Sequence, residues 1–172
     1  MPNPDAMSTI LARRSVRVYD PTPIPDEDLQ TILEAARQAP SAANRQPVHF
    51  VLVRDPQLKR DVAAAAAQQH WLANADTIVV GVGFPAQSAK WYAVDLAIAF
   101  QNLILAATAL GYGTCWIGAF GEDAIKDLVG LPAEARVVAL TPIGRPAERP
   151  AGRPRKSPEQ LFSWDRYGES RK

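Results

Sequence analysis

The chain has 172 residues, of which 47% are hydrophobic, and this is enough to bury the core of one domain of ordinary size. Charged residues make up 22% of the sequence, and the formal net charge is +1. Nucleic-acid-binding domains usually have a strong basic excess, so this balance argues against a polyanion partner. Any cluster of basic residues in this chain must therefore have a local purpose.

The cysteine content indicates a reducing compartment. Cys115 is the single cysteine, so no internal disulfide can form, and we expect a cytoplasmic protein. The first residues show neither the basic start nor the apolar run of a secretory signal. The longest apolar stretch, near residues 96 to 110, is interrupted by polar side chains and favours a buried helix over a membrane span. We expect no membrane partner, and we nominate no metal ligands.

The N-terminal part predicts two helices separated by an extended connection. A short helix is predicted over residues 5 to 12, and the three prolines between Tyr19 and Pro25 require an extended segment. A second helix begins at Asp26, where three consecutive acidic residues suit the positive end of the helix dipole. It ends before Pro40, because the residue before a proline avoids the helical region.

From residue 48 onwards, strands and helices alternate. The predicted elements are a strand over Val48 to Val53, an alanine-rich helix over Pro56 to Ala67, a central strand over Thr77 to Gly83, a long helix over Tyr92 to Leu110 closed by Gly111, a strand with its exit loop over Thr114 to Phe120, a helix over Glu122 to Val129 and a strand over Arg136 to Ile143. The long helix has about 19 residues and spans roughly 28 Å. It is apolar nearly all round and needs cover on every side, either from a partner subunit or by complete burial in one domain.

Arginines and a serine are concentrated directly after the first predicted helix, at Arg13, Arg14, Ser15 and Arg17. Guanidinium groups match phosphate oxygens in bidentate fashion, and a serine hydroxyl adds one more hydrogen bond. The cluster therefore fits a phosphate clamp, but the spacing alone fits a solvated basic turn at least as well.

A second segment, residues 40 to 47, connects a helix to a strand and combines small residues with two amides, Asn44 and Gln46. Small residues let a flat ligand come close, and amides both donate and accept hydrogen bonds, which suits the mixed edge of a heterocyclic ring. An ordinary loop built from turn residues explains the composition equally well.

A third segment ends a predicted strand on two small residues, Gly118 and Ala119. Backbone N–H groups are accessible there because no large side chain intervenes, and strand ends of such sheets are where ligands tend to bind. Trp116, just before them, is interpreted most simply as a core aromatic. Three further residues are predicted to be structural or surface residues: His49, His70 and Cys115.

These three segments together resemble the nitroreductase family. The resemblance rests on residues 13 to 19, 36 to 47 and 110 to 120, which follow one another in family order and at family-like distances within residues 10 to 145. The stretch Arg155 to Leu161 is also similar to the basic C-terminal signature of the family. The resemblance therefore covers almost the whole chain.

The resemblance implies one domain over residues 1 to 172 with an α+β fold. The fold would be a sandwich with a central, mostly antiparallel sheet flanked by helices. The long apolar helix would lie in an extensive homodimer interface, and two FMN sites would lie in that interface, each formed by both subunits. The Pro/Arg-rich extension, residues 145 to 172, would pack on the partner subunit.

The resemblance also implies cofactor contacts for each segment, and it implies no catalytic side chain. Arg13, Ser15 and Arg17 would hold the phosphate and the ribityl chain, with Arg14 close by through its backbone, and Arg155 or Lys156 would complete this clamp. Pro40, Ser41 and Asn44 would reach the flavin from the other subunit. Trp116, Ile117, Gly118 and Ala119 would lie along the isoalloxazine ring and offer a backbone N–H near N5.

The implied activity is FMN-dependent transfer of electrons from NADH or NADPH, via flavin N5, to nitro compounds, quinones or similar organic acceptors by a ping-pong mechanism. Two alternatives stay open: specialised flavin chemistry on the same fold, such as dehalogenation, thiazoline oxidation or flavin fragmentation, and a flavin-binding or storage module without turnover. The chain departs from the family pattern in two places. Residues 85 to 90 stand where longer relatives insert cover over the active site, and Gly118–Ala119 stands where some relatives have a Glu-Gly pair.

Overall fold

The computed structural model describes residues 5–169 of the chain. Its helices are α1 (Ala6–Ala12), α2 (Asp26–Arg37), α3 (Pro56–Ala65), α4 (Tyr92–Ala109), α5 (Glu122–Val129) and α6 (Pro158–Leu161). Its strands are β1 (Tyr19–Asp20), β2 (Val48–Val53), β3 (Thr77–Gly83), β4 (Gly113–Thr114) and β5 (Arg136–Pro146). Two short 3-10 turns, Ala42–Asn44 and His70–Asn74, precede β2 and β3.

The helices begin and end where the sequence supplies caps. A side-chain oxygen of Asp5 accepts the Ser8 N–H at 2.8 Å at the start of α1, and Asp55 accepts the Leu58 N–H at 2.8 Å at the start of α3. The first turn of α2 holds three acidic residues, which stabilise the positive end of its dipole. Helix α4 is followed by Gly111, whose φ of +86° lies in the left-handed region that favours glycine.

The strands form one sheet in the order β1-β5-β3-β2, with β4 also paired to β5, and all four strand pairings are antiparallel. The prediction that β3 lies in the middle of the sheet is confirmed, because it pairs with β2 on one side and β5 on the other and all seven of its residues are buried. A continuous apolar strand is expected wherever both faces of a sheet are covered.

Helices cover both faces of the sheet, and β3 alternates between them. Ile78, Val80 and Val82 belong to a hydrophobic cluster with residues of α3 and α5. Val79 belongs to a second cluster with residues of α2 and α4. Because successive side chains of a strand point to opposite faces, the two clusters lie on either side of the sheet. The fold is the α+β sandwich that the sequence predicted.

Helix α4 packs on the sheet with one side only. Seven of its residues are buried, but Val94 and Ile98 are exposed. Helix α1 contacts α4 as well, and its side chains Met7, Ile10 and Leu11 are also exposed. By length and composition, α4 is the one helix in residues 5–169 that could cross a membrane, and a core helix meets the same criteria. The alternative prediction that α4 is completely buried within its own chain is therefore wrong.

Of the strand predicted over Thr114 to Phe120, only Thr114 belongs to β4, which begins at Gly113. Thr114 pairs with Ile143, and the pairing resumes only at Ile117 and Leu140, which exchange two backbone hydrogen bonds of 2.9 and 3.0 Å. The same register places Cys115 opposite Pro142, which has no N–H to donate to the ladder. The Cys115 N–H is instead bound by the hydroxyl of Thr141 at 3.3 Å.

Candidate functional site

The arginine cluster of the sequence lies on an extended segment that is tied to the sheet. Ser15 forms a parallel bridge with Thr114, and the Val16 N–H donates to the Thr114 carbonyl at 2.9 Å. The two segments approach closely because Gly113 has no side chain: a Cβ there would lie 2.8 Å from the Val16 side chain. The backbone that presents the arginines is therefore fixed by β4.

Arginines from two distant parts of the chain line one cavity of about 600 Å³, which we call the arginine cavity. Its charged residues are Arg13, Arg14, Arg17, Arg153 and Arg155. None of these guanidinium groups forms an ion pair with a carboxylate within residues 5–169. Five positive side chains around one cavity, in a chain whose net charge is +1, provide the donor set that a phosphate group requires.

The arginines of the cluster differ in what holds them. Nη1 of Arg14 donates to the carbonyls of Leu11 and Arg13 at 2.7 and 2.8 Å, so this side chain orders the end of α1. The Arg17 guanidinium lies over the Trp71 ring, 5.9 Å from its centroid, in a cation–π contact. Arg13 and Arg17 therefore have most of their donors available to a ligand in the cavity, whereas Arg14 has a structural task.

The C-terminal side of the cavity contains an arginine that the sequence reasoning missed. Arg153 and Arg155 line the cavity, and Lys156 is not among the lining residues. In an extended segment, side chains two residues apart share a face and the next one points away. This alternation is the sequence signal that could have indicated Arg153, together with Arg155, as residues that line the arginine cavity.

The strand end at Gly118 and Ala119 presents bare backbone. Both residues are exposed, neither N–H has a hydrogen-bond partner within the described residues, and a Cβ on Gly118 would meet nothing within 4 Å. Ile117 is buried and pairs with Leu140 of β5. Trp116 is exposed, so the interpretation of this residue as a core aromatic is wrong, and its ring forms a T-shaped contact with Phe100 at 5.1 Å between centroids. Two free N–H donors with no side chain in front of them suit the acceptor edge of a flat ring.

Three further reactive side chains, His49, His70 and Cys115, are not among the residues that line the arginine cavity. His49 and His70 are exposed, as the sequence predicted for surface residues. Cys115 is buried, and burial raises the pKa of its thiol although the nearby Arg17 guanidinium acts in the opposite direction. A neutral buried thiol is a weak nucleophile, so the prediction that Cys115 is a small core residue is confirmed.

The predicted loop at residues 40 to 44 lies apart from the arginine cavity of the same chain. Pro40 and Ser41 line a different cavity, of about 400 Å³, between α2, β2 and α4, and Asn44 is exposed. The loop has an unusual backbone, since Ala43, Asn44 and Gln46 have φ values of 50°, 54° and 51°. Within one chain, the structure thus joins the arginines but leaves the loop separate.

The fold is an antiparallel α+β sandwich, and its arginine cavity has the donor groups that suit a phosphorylated ligand. The chain belongs to the nitroreductase family, whose sequence profile matches residues 10–82 and 63–145.

Three comparisons show how close this similarity is. A protein of Archaeoglobus fulgidus with the provisional name NADH dehydrogenase/NAD(P)H nitroreductase is 35% identical over 84% of this chain and 87% of its own. A nitroreductase family protein of Clostridium novyi has a solved structure with a TM-score of 0.80, 35% identity and 97% coverage of both chains. The NADPH:FMN oxidoreductase of Vibrio harveyi, solved with NAD⁺, has a TM-score of 0.88 and 29% identity over 96% of this chain and 79% of its own.

Proposed function

We propose that the protein binds FMN between two copies of the chain and uses it to pass electrons from NADH or NADPH to nitro compounds, quinones or similar acceptors. As a member of the nitroreductase family, it is an FMN-dependent NAD(P)H oxidoreductase. The arginine cavity is the observation that carries the proposal, because its guanidinium groups have no carboxylate partner in residues 5–169 and match a phosphate monoester.

The residues present fit the two ends of FMN. Arg13, Arg17 and the C-terminal arginines would hold the phosphate, and the Ser15 hydroxyl would add a hydrogen bond. The N–H groups of Gly118 and Ala119 would donate to the ring edge. Bound FMN supplies the acceptance and donation of hydride at N5. The chain itself contributes positive charge and fixed N–H donors, which stabilise negative charge on the reduced ring.

The second half of the site would come from a second copy of the chain. Large apolar side chains are exposed on both α4 and α1, and we propose that they belong to one interface patch: Met7, Ile10, Leu11, Val94 and Ile98. A copy covering this patch would explain why Pro40, Ser41 and Asn44 lie away from the arginine cavity of their own chain. Each loop would then face the cavity of the partner.

The C-terminal arm, residues 147–169, would extend this interface. Nearly all of its residues are exposed on their own chain, including the large apolar side chains of Leu161, Phe162 and Tyr167. Apolar groups of this size are stabilised when a partner removes them from water. We also propose a cytoplasmic location, since a single cysteine is typical of reducing compartments.

The colour of the purified protein tests the cofactor. The preparation should be yellow, and heating should release FMN. Anaerobic mixing with NADH and, separately, with NADPH should bleach the flavin and show which donor is preferred. A colourless preparation that takes up no added FMN would contradict the proposal. Slow bleaching by both donors would favour the storage alternative, and sedimentation of a flavin-bound monomer would contradict the shared site.

A further inference from the structure

Residues 41–46, which we call the strained loop, hold an unfavourable backbone with little support from packing. Three of these residues are non-glycine residues in the left-handed region, Ala43, Asn44 and Gln46. The side chains of residues 43 to 46 are exposed, and the cavity of about 400 Å³ adjoins Ser41 and Gln46. A strained backbone persists only where other contacts determine it, so something besides core packing must hold the loop.

A carboxylate of α4 provides that contact. Asp95 is only 4% exposed, and its Oδ1 accepts the Ala42 N–H at 3.1 Å. The other hydrogen bonds of the loop are local, such as that from the Gln46 N–H to Ser41 Oγ at 2.9 Å. Within residues 5–169, the Asp95 bond alone ties the strained loop to a distant part of the chain.

Within residues 5–169, the second oxygen of Asp95 gains no hydrogen bond that would offset its burial. Oδ2 is buried and has no hydrogen-bond partner within the described residues. A buried carboxylate with an unsatisfied oxygen costs more desolvation than an amide or an apolar side chain would, although the N-terminal turn of α4 offsets part of that cost. Such a group calls for an explanation other than a contribution to the core.

We infer that Asp95 is a positioning residue for cofactor binding. It holds the Ala42 N–H, and so keeps Pro40, Ser41 and Asn44 in the arrangement in which they contact the flavin of the partner subunit. This inference rests on the proposed function, since it assumes that the strained loop contacts FMN.

Three variants separate positioning from stability. Asp95→Leu replaces the carboxylate with an apolar side chain of similar length, so the lost hydrogen bond and the relieved burial of a polar oxygen should offset each other, and we expect stability close to that of the wild type. The Ala42 N–H would lose its acceptor, hydrogen exchange of residues 41–46 would accelerate, and FMN affinity would fall about tenfold. Asp95→Ala should act in the same direction without the risk of a clash. Asp95→Asn keeps an oxygen acceptor and should restore FMN affinity to within about threefold of the wild type.

Tyr112→Phe is the matched control, because it removes a tertiary hydrogen bond, between Tyr112 and Asp28, in which no residue of the strained loop takes part. It should lower stability and leave both FMN affinity and loop exchange unchanged. The readouts are the free energy of unfolding, the FMN dissociation constant from fluorescence titration and hydrogen–deuterium exchange of the full chain.

Two results would overturn the inference while leaving the proposed function intact. The first is wild-type FMN affinity in both Asp95→Leu and Asp95→Ala. The second is a loss of affinity that Asp95→Asn fails to restore. A wild-type chain that binds no FMN would instead contradict the proposed function itself, and with it this inference.

Discussion

The arginine cavity and the strained loop both contain residues expected to hold the cofactor, but the chain fixes them in different ways. The segment from Arg13 to Arg17 is bound to β4 through backbone pairing at Thr114. The strained loop lies beside a cavity and depends on one side chain, Asp95. Backbone pairing survives most substitutions, whereas a contact through one side chain does not. The two halves of the site should therefore respond differently to mutation.

The two halves also differ in what they need from a partner. The arginine cavity is assembled within one chain, since Arg153 and Arg155 come from its own C-terminal arm. The strained loop lines a different cavity and, in the proposed dimer, would act on the arginine cavity of the second copy. Separating the copies should therefore affect the site more than the loss of any one arginine.

The largest effect is expected when the two copies are separated. Ile98→Glu places a charge on the exposed face of α4, and burying it in the proposed interface should weaken dimerisation about a hundredfold or more. FMN should be lost with the dimer, because each site would keep only one half. Sedimentation velocity and flavin content, measured at the same concentration, check this prediction.

Ala124→Glu is the control for this change, since it introduces the same charge on the exposed surface of α5. It should remain a yellow dimer. An Ile98→Glu protein that is still dimeric and retains FMN would show that α4 is not in the interface.

The next largest effect is expected within the arginine cavity. Arg17→Ala removes one charge-assisted contact and should weaken FMN binding by roughly 1.5–3 kcal/mol, which is about ten- to a hundredfold. The fold should be unaffected, because β4 pairs with the backbone of this segment. Arg153→Ala should act in the same direction. FMN titration of each variant provides the measurement.

Arg60→Ala makes the same charge change on α3, where the side chain bonds to Gln57 outside the cavity. Its FMN affinity should equal that of the wild type. Equal affinities for Arg17→Ala and Arg60→Ala would mean that the arginine cavity serves another purpose.

A smaller effect concerns stability on the side of β4. Tyr112 donates a hydrogen bond to Asp28. Burial of the hydroxyl is the largest cause, and the bond to Asp28 the next, of a rise in the pKa of Tyr112 from its ordinary value of 10.0 to about 12. A hydroxyl whose pKa is raised by folding contributes fully to stability below pH 10.0 and loses that contribution as the pH rises to about 12. The free energy of unfolding should therefore fall across this interval.

Tyr112→Phe should be less stable by about 1–2 kcal/mol at neutral pH. Its free energy of unfolding should also fall less steeply than that of the wild type as the pH rises above 10.0. Some decline should persist, because burial also raises the pKa of Tyr19. Urea denaturation at a series of pH values checks both expectations, with the fully exposed Tyr167→Phe as the control. If the free energy of unfolding falls equally steeply with pH in Tyr112→Phe and in the wild type, the Tyr112 hydroxyl is not a cause of the alkaline loss of stability.

The smallest effect is expected from relieving strain in the loop. Ala43 has a φ of 50°, so Ala43→Gly should raise the free energy of unfolding by about 0.5 kcal/mol. Ala42 is not among the residues with positive φ, so Ala42→Gly should lower it by about 0.5–1 kcal/mol. Urea denaturation of the pair tests this difference in sign. If both variants lose stability equally, the loop is not strained at residue 43.

The regular elements were largely predictable because their signals are local. The bounds of β2, β3 and α5 agree with the sequence prediction at every residue, since the periodicity of apolar residues and the flanking turn residues specify them. Helix α3 ends two residues earlier than predicted, at Ala65, and Ala67 and Gln68 then adopt positive φ. Its alanine-rich sequence contains no residue that marks this end.

The interruption of the strand after Thr114 was not predictable from the strand itself. It depends on Pro142, which lies 27 positions further along the chain than Cys115 and comes opposite it only in the register of the folded sheet. The partner of Asp95 is similarly remote, because Ala42 lies on the other side of β2 and β3 in the sequence. Contacts of this kind have no signature in either segment alone.

The sequence by itself determined the class of fold, the family and the arginine cluster that indicates a phosphate ligand, because each depends on residues close together in the chain. The tertiary structure alone decided three further points: Arg153 lines the arginine cavity, the N–H groups of Gly118 and Ala119 are unpaired within residues 5–169, and the strained loop lines a cavity separate from the arginines of its own chain. The physical reason is that these features depend on which distant segments pack together, and only the folded chain specifies that packing.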